Sequence, residues 1–168
     1  SEICVIADNK NNPKWIAADL LSQAEHDESA QSVLIASDPI FALAVEKEIK
    51  NILSKLPRRA IAQKSWEKHG AVILVRNWKE ACDVANQLAP EHLELAVDNP
   101  ETLVGSIRHA GAIFLGRFTP EAIGDYIAGP SHVLPTSRTA RFSSGLAVYD
   151  FMKRTSIVSC TKDSFRKI

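Results

Sequence analysis

The sequence has no C-x-x-C pair, no G-x-G-x-x-G turn among its seven glycines, and no surplus of either charge. It also lacks any apolar run approaching about 18 residues. Its three cysteines, Cys4, Cys82 and Cys160, are odd in number and far apart. That argues against a disulfide framework or thiolate metal site and for reduced thiols in a cytoplasmic protein. Cys4 and Cys160 lie in apolar, strand-like runs and Cys82 in a helical pattern, so all three are expected to be small buried side chains. No spanning helix is expected, and no leader of charged, then apolar, then small residues is visible. Twenty basic and twenty acidic side chains cancel, so the protein has no general attraction for nucleic acid or an anionic membrane. The densest basic stretch, Lys47 to Lys68, is interleaved with acids such as Glu48 and Glu67, the pattern of a solvated helical face.

What is present is enough apolar material for one packed domain: 45% of 168 residues. Short apolar runs at Ile3 to Ala7, Val33 to Ala36, Ala71 to Val75, His92 to Val97 and Ala112 to Leu115 are of strand length. Between them lie helical patterns with readable starts. Asn12 precedes Pro13, Asp38 precedes Pro39, and Asn77 opens a pattern running to Leu88. Pro100 to Ile107 reads as a short helix, whereas residues 57 to 69 carry only a weak pattern. Strands alternating with helices predict a Rossmann-like α/β domain, its mostly parallel sheet covered on both faces. The missing glycine fingerprint means that this architecture does not by itself make a nucleotide site. From 119 to 146 the chain turns irregular. Ile123, Tyr126, Ile127, Val133, Leu134 and Phe142 point to a long ordered loop packed on the body, a place where site residues concentrate.

The residues able to carry chemistry fall at element ends. In A-P-E-H-L-E-L-A-V, Pro90 ends a helix and biases Ala89 toward extended geometry. Strand alternation then puts Leu93, Leu95 and Val97 on one face and His92, Glu94 and Ala96 on the other, so Glu91 and His92 diverge. They could serve two proton transfers in one cleft or simply be polar surface. Gln23 and His26, three apart, border the buried face of the first helix, which suits either a cleft or a half-exposed boundary. Asp125 and His132 sit among glycines and prolines, as turn residues or as site residues. His69 and His109 read as structural.

The stretches S-Q-A-E-H at 22 to 26, A-P-E-H-L-E-L at 89 to 95, R-H-A-G-A-I-F-L-G at 108 to 116 and G-D-Y-I-A-G-P-S-H-V-L-P-T at 124 to 136 occur in an order that resembles histidinol dehydrogenase. The likeness runs from S-E-I-C-V-I-A-D at the start through R-F-S-S-G-L at 141 to 146 and K-R-T-S-I-V at 153 to 158. It implies oxidation of L-histidinol through the aldehyde to L-histidine by NAD, closing histidine biosynthesis, in a zinc-dependent homodimer. By resemblance Gln23, His26 and Asp125 stand at zinc-ligand positions, a mixture of oxygen and nitrogen donors that zinc accepts. His92 matches the general base and Glu91 the residue that activates water to hydrate the aldehyde. Ser1 and His132 match substrate contacts, alongside Gln23, His26, His92 and Asp125.

The resemblance also marks differences. The family's nicotinamide-binding segment precedes the first residue here, so no cofactor-binding residue is assigned, and a tail with a further zinc ligand follows the last. Residues 1–146 are thus expected to form the α/β domain and 147–168 to begin a tail. The chain alone is expected to fold but not to turn over. The competing reading is a truncated or diverged module that keeps only a weak metal or imidazole-ligand site. Arg138 stands where the family usually has glycine, which matters if that turn needs positive φ.

Overall fold

The computed structural model describes residues 1–168. Five strands form one sheet in the order β3-β2-β1-β4-β5: β1 (Glu2–Ala7), β2 (Gln31–Ala36), β3 (Gly70–Leu74), β4 (His92–Ala96) and β5 (Ala112–Leu115). Every pairing is parallel, with Ile3 of β1 opposite His92 of β4 and His92 opposite Ala112 of β5. The helices are α1 (Pro13–Ala24), α2 (Pro39–Leu53), α3 (Arg59–His69), α4 (Trp78–Leu88), α5 (Glu101–Val104), α6 (Glu121–Tyr126) and α7 (Lys162–Phe165). Asn12, Asp38 and Asn77 accept backbone N–H groups at the starts of α1, α2 and α4, which satisfies donors the helix cannot.

Both faces of the sheet are covered, as the alternation predicts. Ile3, Val5, Leu34 and Ala96 meet Leu20, Val45 and Ala62 of α1, α2 and α3 on one face. Cys4, Ile6, Leu93 and Leu95 meet Ala81, Cys82 and Leu103 of α4 and α5 on the other. β4 contributes to both layers, so its His92 and Glu94 belong to the α1 face.

Three expectations change. The weakly patterned stretch before β3 is a helix, α3, which buries only Ala62 and Ser65 and has no side-chain cap, so its pattern is too thin to read from sequence. Cys160 is exposed, while Cys4 and Cys82 are buried as expected. Strand-like apolarity around Cys160 finds no strand to pair with. Tyr126, Ile127, Val133 and Phe142 are also exposed, so the irregular stretch does not pack on the body through them. Hydrophobicity alone could not say which apolar side chains find a partner.

Ala89 departs from its predicted geometry as well. It takes the left-handed conformation, φ 50°, where its N–H closes α4 on the Ala85 carbonyl at 2.8 Å. This cap reverses the chain from α4 into β4 within three residues, overriding the extended bias before Pro90. Arg138 does adopt positive φ, 65°, and its guanidinium donates to the Gln87 carbonyl at 2.7 Å, a bond that offsets the strain of a non-glycine residue there.

The crevice outside the carboxyl ends of β1 and β4, where open α/β sheets usually bind ligands, is lined by Asp8, Lys10, Trp78 and Asp98 around about 320 Å³. Arg117 bridges Asp8 and Asp98 across it, and Lys10 pairs with Asp98. The imidazoles singled out above lie at the opposite edge of the sheet.

Candidate functional site

His92 is the first residue of β4 and is 2% exposed. Its Nδ1 lies 2.9 Å from the Glu2 carbonyl of neighbouring β1. A carbonyl can only accept, so Nδ1 carries the proton and Nε2 is left with its lone pair. Nε2 points at His132 Nε2, 3.0 Å away, and the two rings stack at 4.9 Å between centroids. His132 therefore donates and His92 accepts. Burial holds the His92 imidazole below its ordinary pKa against the opposing pull of the Glu2 bond and the charges of Glu91 and Glu121, with His132 adding to the depression. A neutral, basic Nε2 at physiological pH results.

α6 supplies the acids. Glu121, 5% exposed, places Oε1 3.2 Å from His132 Nε2 and 3.7 Å from His92 Nε2. Asp125, one turn later, lies 3.9 Å from the same His132 nitrogen. Gly124 between them allows α6 to approach: a Cβ there would sit 2.7 Å from the Phe114 ring and 3.1 Å from His132 Nδ1. Glu91 diverges from His92 as the alternation predicts. Its Oε2 is buried without a hydrogen-bond partner, 3.9 Å from the Ser1 nitrogen. The Glu91 carbonyl takes the Ala112 N–H at 2.9 Å, and Gly111 passes so close that a Cβ would meet that oxygen at 2.6 Å.

The family model for histidinol dehydrogenase matches residues 1–168. The chain is 58% identical over 168 residues to histidinol dehydrogenase 1 of Nostoc sp., covering 100% of this chain and 39% of that protein. It is 63% identical over 158 residues to histidinol dehydrogenase of Nitrosomonas europaea, covering 94% and 37%. The chain belongs to the histidinol dehydrogenase family. The crystal structure of histidinol dehydrogenase from Elizabethkingia anophelis superposes with a TM-score of 0.92 at 38% identity, covering 99% of this chain and 38% of that one. The chain thus spans about 39% of the length of the histidinol dehydrogenases it matches.

Within this histidinol dehydrogenase segment the predicted residues do not all meet. Ser1 lies beside Glu91, while His92, His132 and Asp125 form a separate line of contacts. Gln23 and His26 stand at the end of α1, which packs on the same face of the sheet. His26 is exposed and bonds through its carbonyl, which accepts from Arg58 at 3.3 Å. Gln23 is 1% exposed, and neither its amide nitrogen nor its oxygen has a partner. A buried amide costs free energy until something satisfies it, and a metal ion bound through the oxygen would satisfy that atom, leaving the nitrogen as a donor. Gln23 therefore fits a metal ion through its oxygen. A second cluster, His92, Glu121 and His132, also brings its donor atoms within 4.8 Å of one another, a span that a metal ion can bridge. There, however, the imidazoles already satisfy each other, and the orphaned amide of Gln23 is the stronger indication.

Two acids escaped the sequence reading. Glu121 stands four before Asp125, so the P-E-x-x-x-D spacing signals a shared helix face. Asp19 stands four before Gln23 on α1, extending the Gln23–His26 flank to its other end. Burial, the Glu121 charge and a shared hydrogen bond with Glu94 set the Asp19 carboxyl; burial dominates and raises it to about 7. An acid raised on folding costs no stability while both states are protonated, and costs progressively more as pH climbs from its unfolded value of 3.8 toward 7. Asp19→Asn should therefore raise the urea midpoint at about pH 8 and change it little at about pH 4. Equal gains at both pH values would contradict the burial of this charge.

Proposed function

We propose that this segment provides the acid–base half of an NAD-linked dehydrogenase that oxidises L-histidinol through the aldehyde to L-histidine. The observation that carries the reading is His92, whose Nδ1–H is tied to a backbone carbonyl so that a neutral Nε2 faces His132 and Glu121. Such a nitrogen takes the alcohol proton as the C–H hydride departs, and its depressed pKa keeps it ready near neutral pH. His132 donates to that nitrogen in the resting state and is positioned to turn its N–H toward substrate. Glu91, with a carboxylate oxygen that no protein donor occupies, removes a proton from water so that the aldehyde is hydrated and a second hydride can leave. Gln23, His26 and Asp125 would hold zinc. When bound, zinc would supply the charge that orients the substrate, and NAD would accept the hydride.

Val148, Tyr149, Phe151, Ile157 and Val158, at the far end of the chain, are all exposed. In an enzyme of which this segment is about 39%, such apolar surface is read as covered by the rest of the protein or by a second copy, as in a homodimer. No helix is long and apolar enough to cross a membrane.

The test separates the two proton transfers in a full-length histidinol dehydrogenase carrying this segment. Glu91→Gln should leave the first NADH formed in stopped flow within about threefold of wild type and slow the second by roughly a hundredfold. An equally large loss in the first burst would contradict the division of labour.

A further inference from the structure

Glu94 has no part in the proton transfers above, yet it is 3% exposed and stands two residues after His92 on the same face of β4. Its Oε1 accepts the Glu121 N–H, the first amide of α6, at 2.8 Å. Its carboxyl group lies beside that of Asp19 of α1, close enough for the two to share a hydrogen bond. Two acids can share a hydrogen bond only if one of them is protonated. Glu94 is the more deeply buried of the pair, and Asp19 reaches a surface pocket of about 360 Å³ beside Trp15 and Phe118.

We infer that Glu94 acts as an uncharged positioning residue, its carboxyl group joining Asp19 of α1 to the start of α6 and so fixing where the Glu121 carboxylate meets His92 and His132. As a neutral acid all its valences are used: the hydroxyl donates to the Asp19 carboxylate, and the carbonyl oxygen accepts from α6. Burial, together with the negative charge of Asp19, raises Glu94 well above an ordinary carboxylate, consistent with that protonation state. Because α6 is only Glu121–Tyr126 and its N-cap residue, Pro120, makes no side-chain cap bond, Glu94 takes the role a capping side chain would have. Three elements thus meet on one buried carboxyl group, and a shift of α6 moves Glu121 and Asp125 together.

The inference rests on His92 being the base, and the experiment separates the two. In the full-length enzyme, pH profiles of kcat/KM are compared for wild type, Glu94→Leu, Glu94→Gln and His92→Ala. The groups that act on His92 are the Glu2 carbonyl, the charges of Glu91 and Glu121, and His132, and of these the Glu121 charge is the one that α6 carries. Glu94→Leu should lower kcat/KM about tenfold and move its acidic limb to lower pH, because His92 loses part of the negative field that raises it. Glu94→Gln, which keeps an acceptor for Glu121 and a donor for Asp19, should recover the wild-type limb and most of the rate. A Glu94→Gln enzyme as impaired as Glu94→Leu would overturn the inference, since a charge would then be required. An unmoved limb in Glu94→Leu would overturn it as well. If Glu94→Leu does not fold, the glutamine variant decides alone. An enzyme indifferent to His92→Ala would instead remove the reading of the base.

Discussion

His92→Ala in a full-length histidinol dehydrogenase carrying this segment lowers both NADH-forming steps by roughly a thousandfold, the worth of a well-placed general base. Both oxidations must fall, because each needs a proton taken from oxygen as hydride leaves carbon. The rate should be partly recovered by raising pH, since hydroxide replaces the missing base, whereas wild type levels off above the depressed pKa of His92. Steady-state and single-turnover NADH absorbance across pH checks this. A loss confined to the second step would transfer the base to another residue. His132 is the obvious candidate, being 3.0 Å away, but the Glu2 carbonyl orients only His92.

Gln23→Leu gives the second large effect, and it moves two properties in opposite directions. In the full-length enzyme the zinc retained after dialysis should drop about tenfold or more, because losing one of few ligands weakens a site by that order. In the presence of chelator the same variant should be more stable than wild type by about 2 kcal/mol, because an amide buried with both polar atoms unpaired is exchanged for an apolar side chain of similar size. Metal analysis and thermal unfolding with and without chelator measure both. A variant less stable than wild type in chelator would mean that the Gln23 amide is satisfied inside the fold, and the metal reading would lose its main support.

The sheet and its coverage could be read along the chain because each signal was local. The Pro13 and Pro39 helix starts follow side chains able to cap them, and the alternation in H-L-E-L-A places His92 and Glu94 on one face by backbone geometry alone. Helix α3 was illegible for the converse reason: with only Ala62 and Ser65 buried, its sequence carries almost no periodic contrast.

The candidate site divides along the same line. Residue types that chemistry needs at fixed local spacing, Glu91 beside His92 and Gln23 three before His26, stand out in the sequence. Glu121, Glu94 and Asp19 do not, since they come from α6, β4 and α1 and look like ordinary acids until the fold buries them side by side. The parallel register alone sets Ile3 opposite His92 and brings the Glu2 carbonyl to Nδ1, which decides the tautomer and so which nitrogen keeps its lone pair. By itself, then, the sequence determined the α/β alternation, the faces of β4 and the family to which the chain belongs, all of which depend on neighbours in the chain. Only the tertiary structure decided that His92 and His132 meet at the edge where β4 begins, and which acids are buried beside the imidazoles, because proximity between distant segments and the loss of solvent around a charge exist only once those segments have packed.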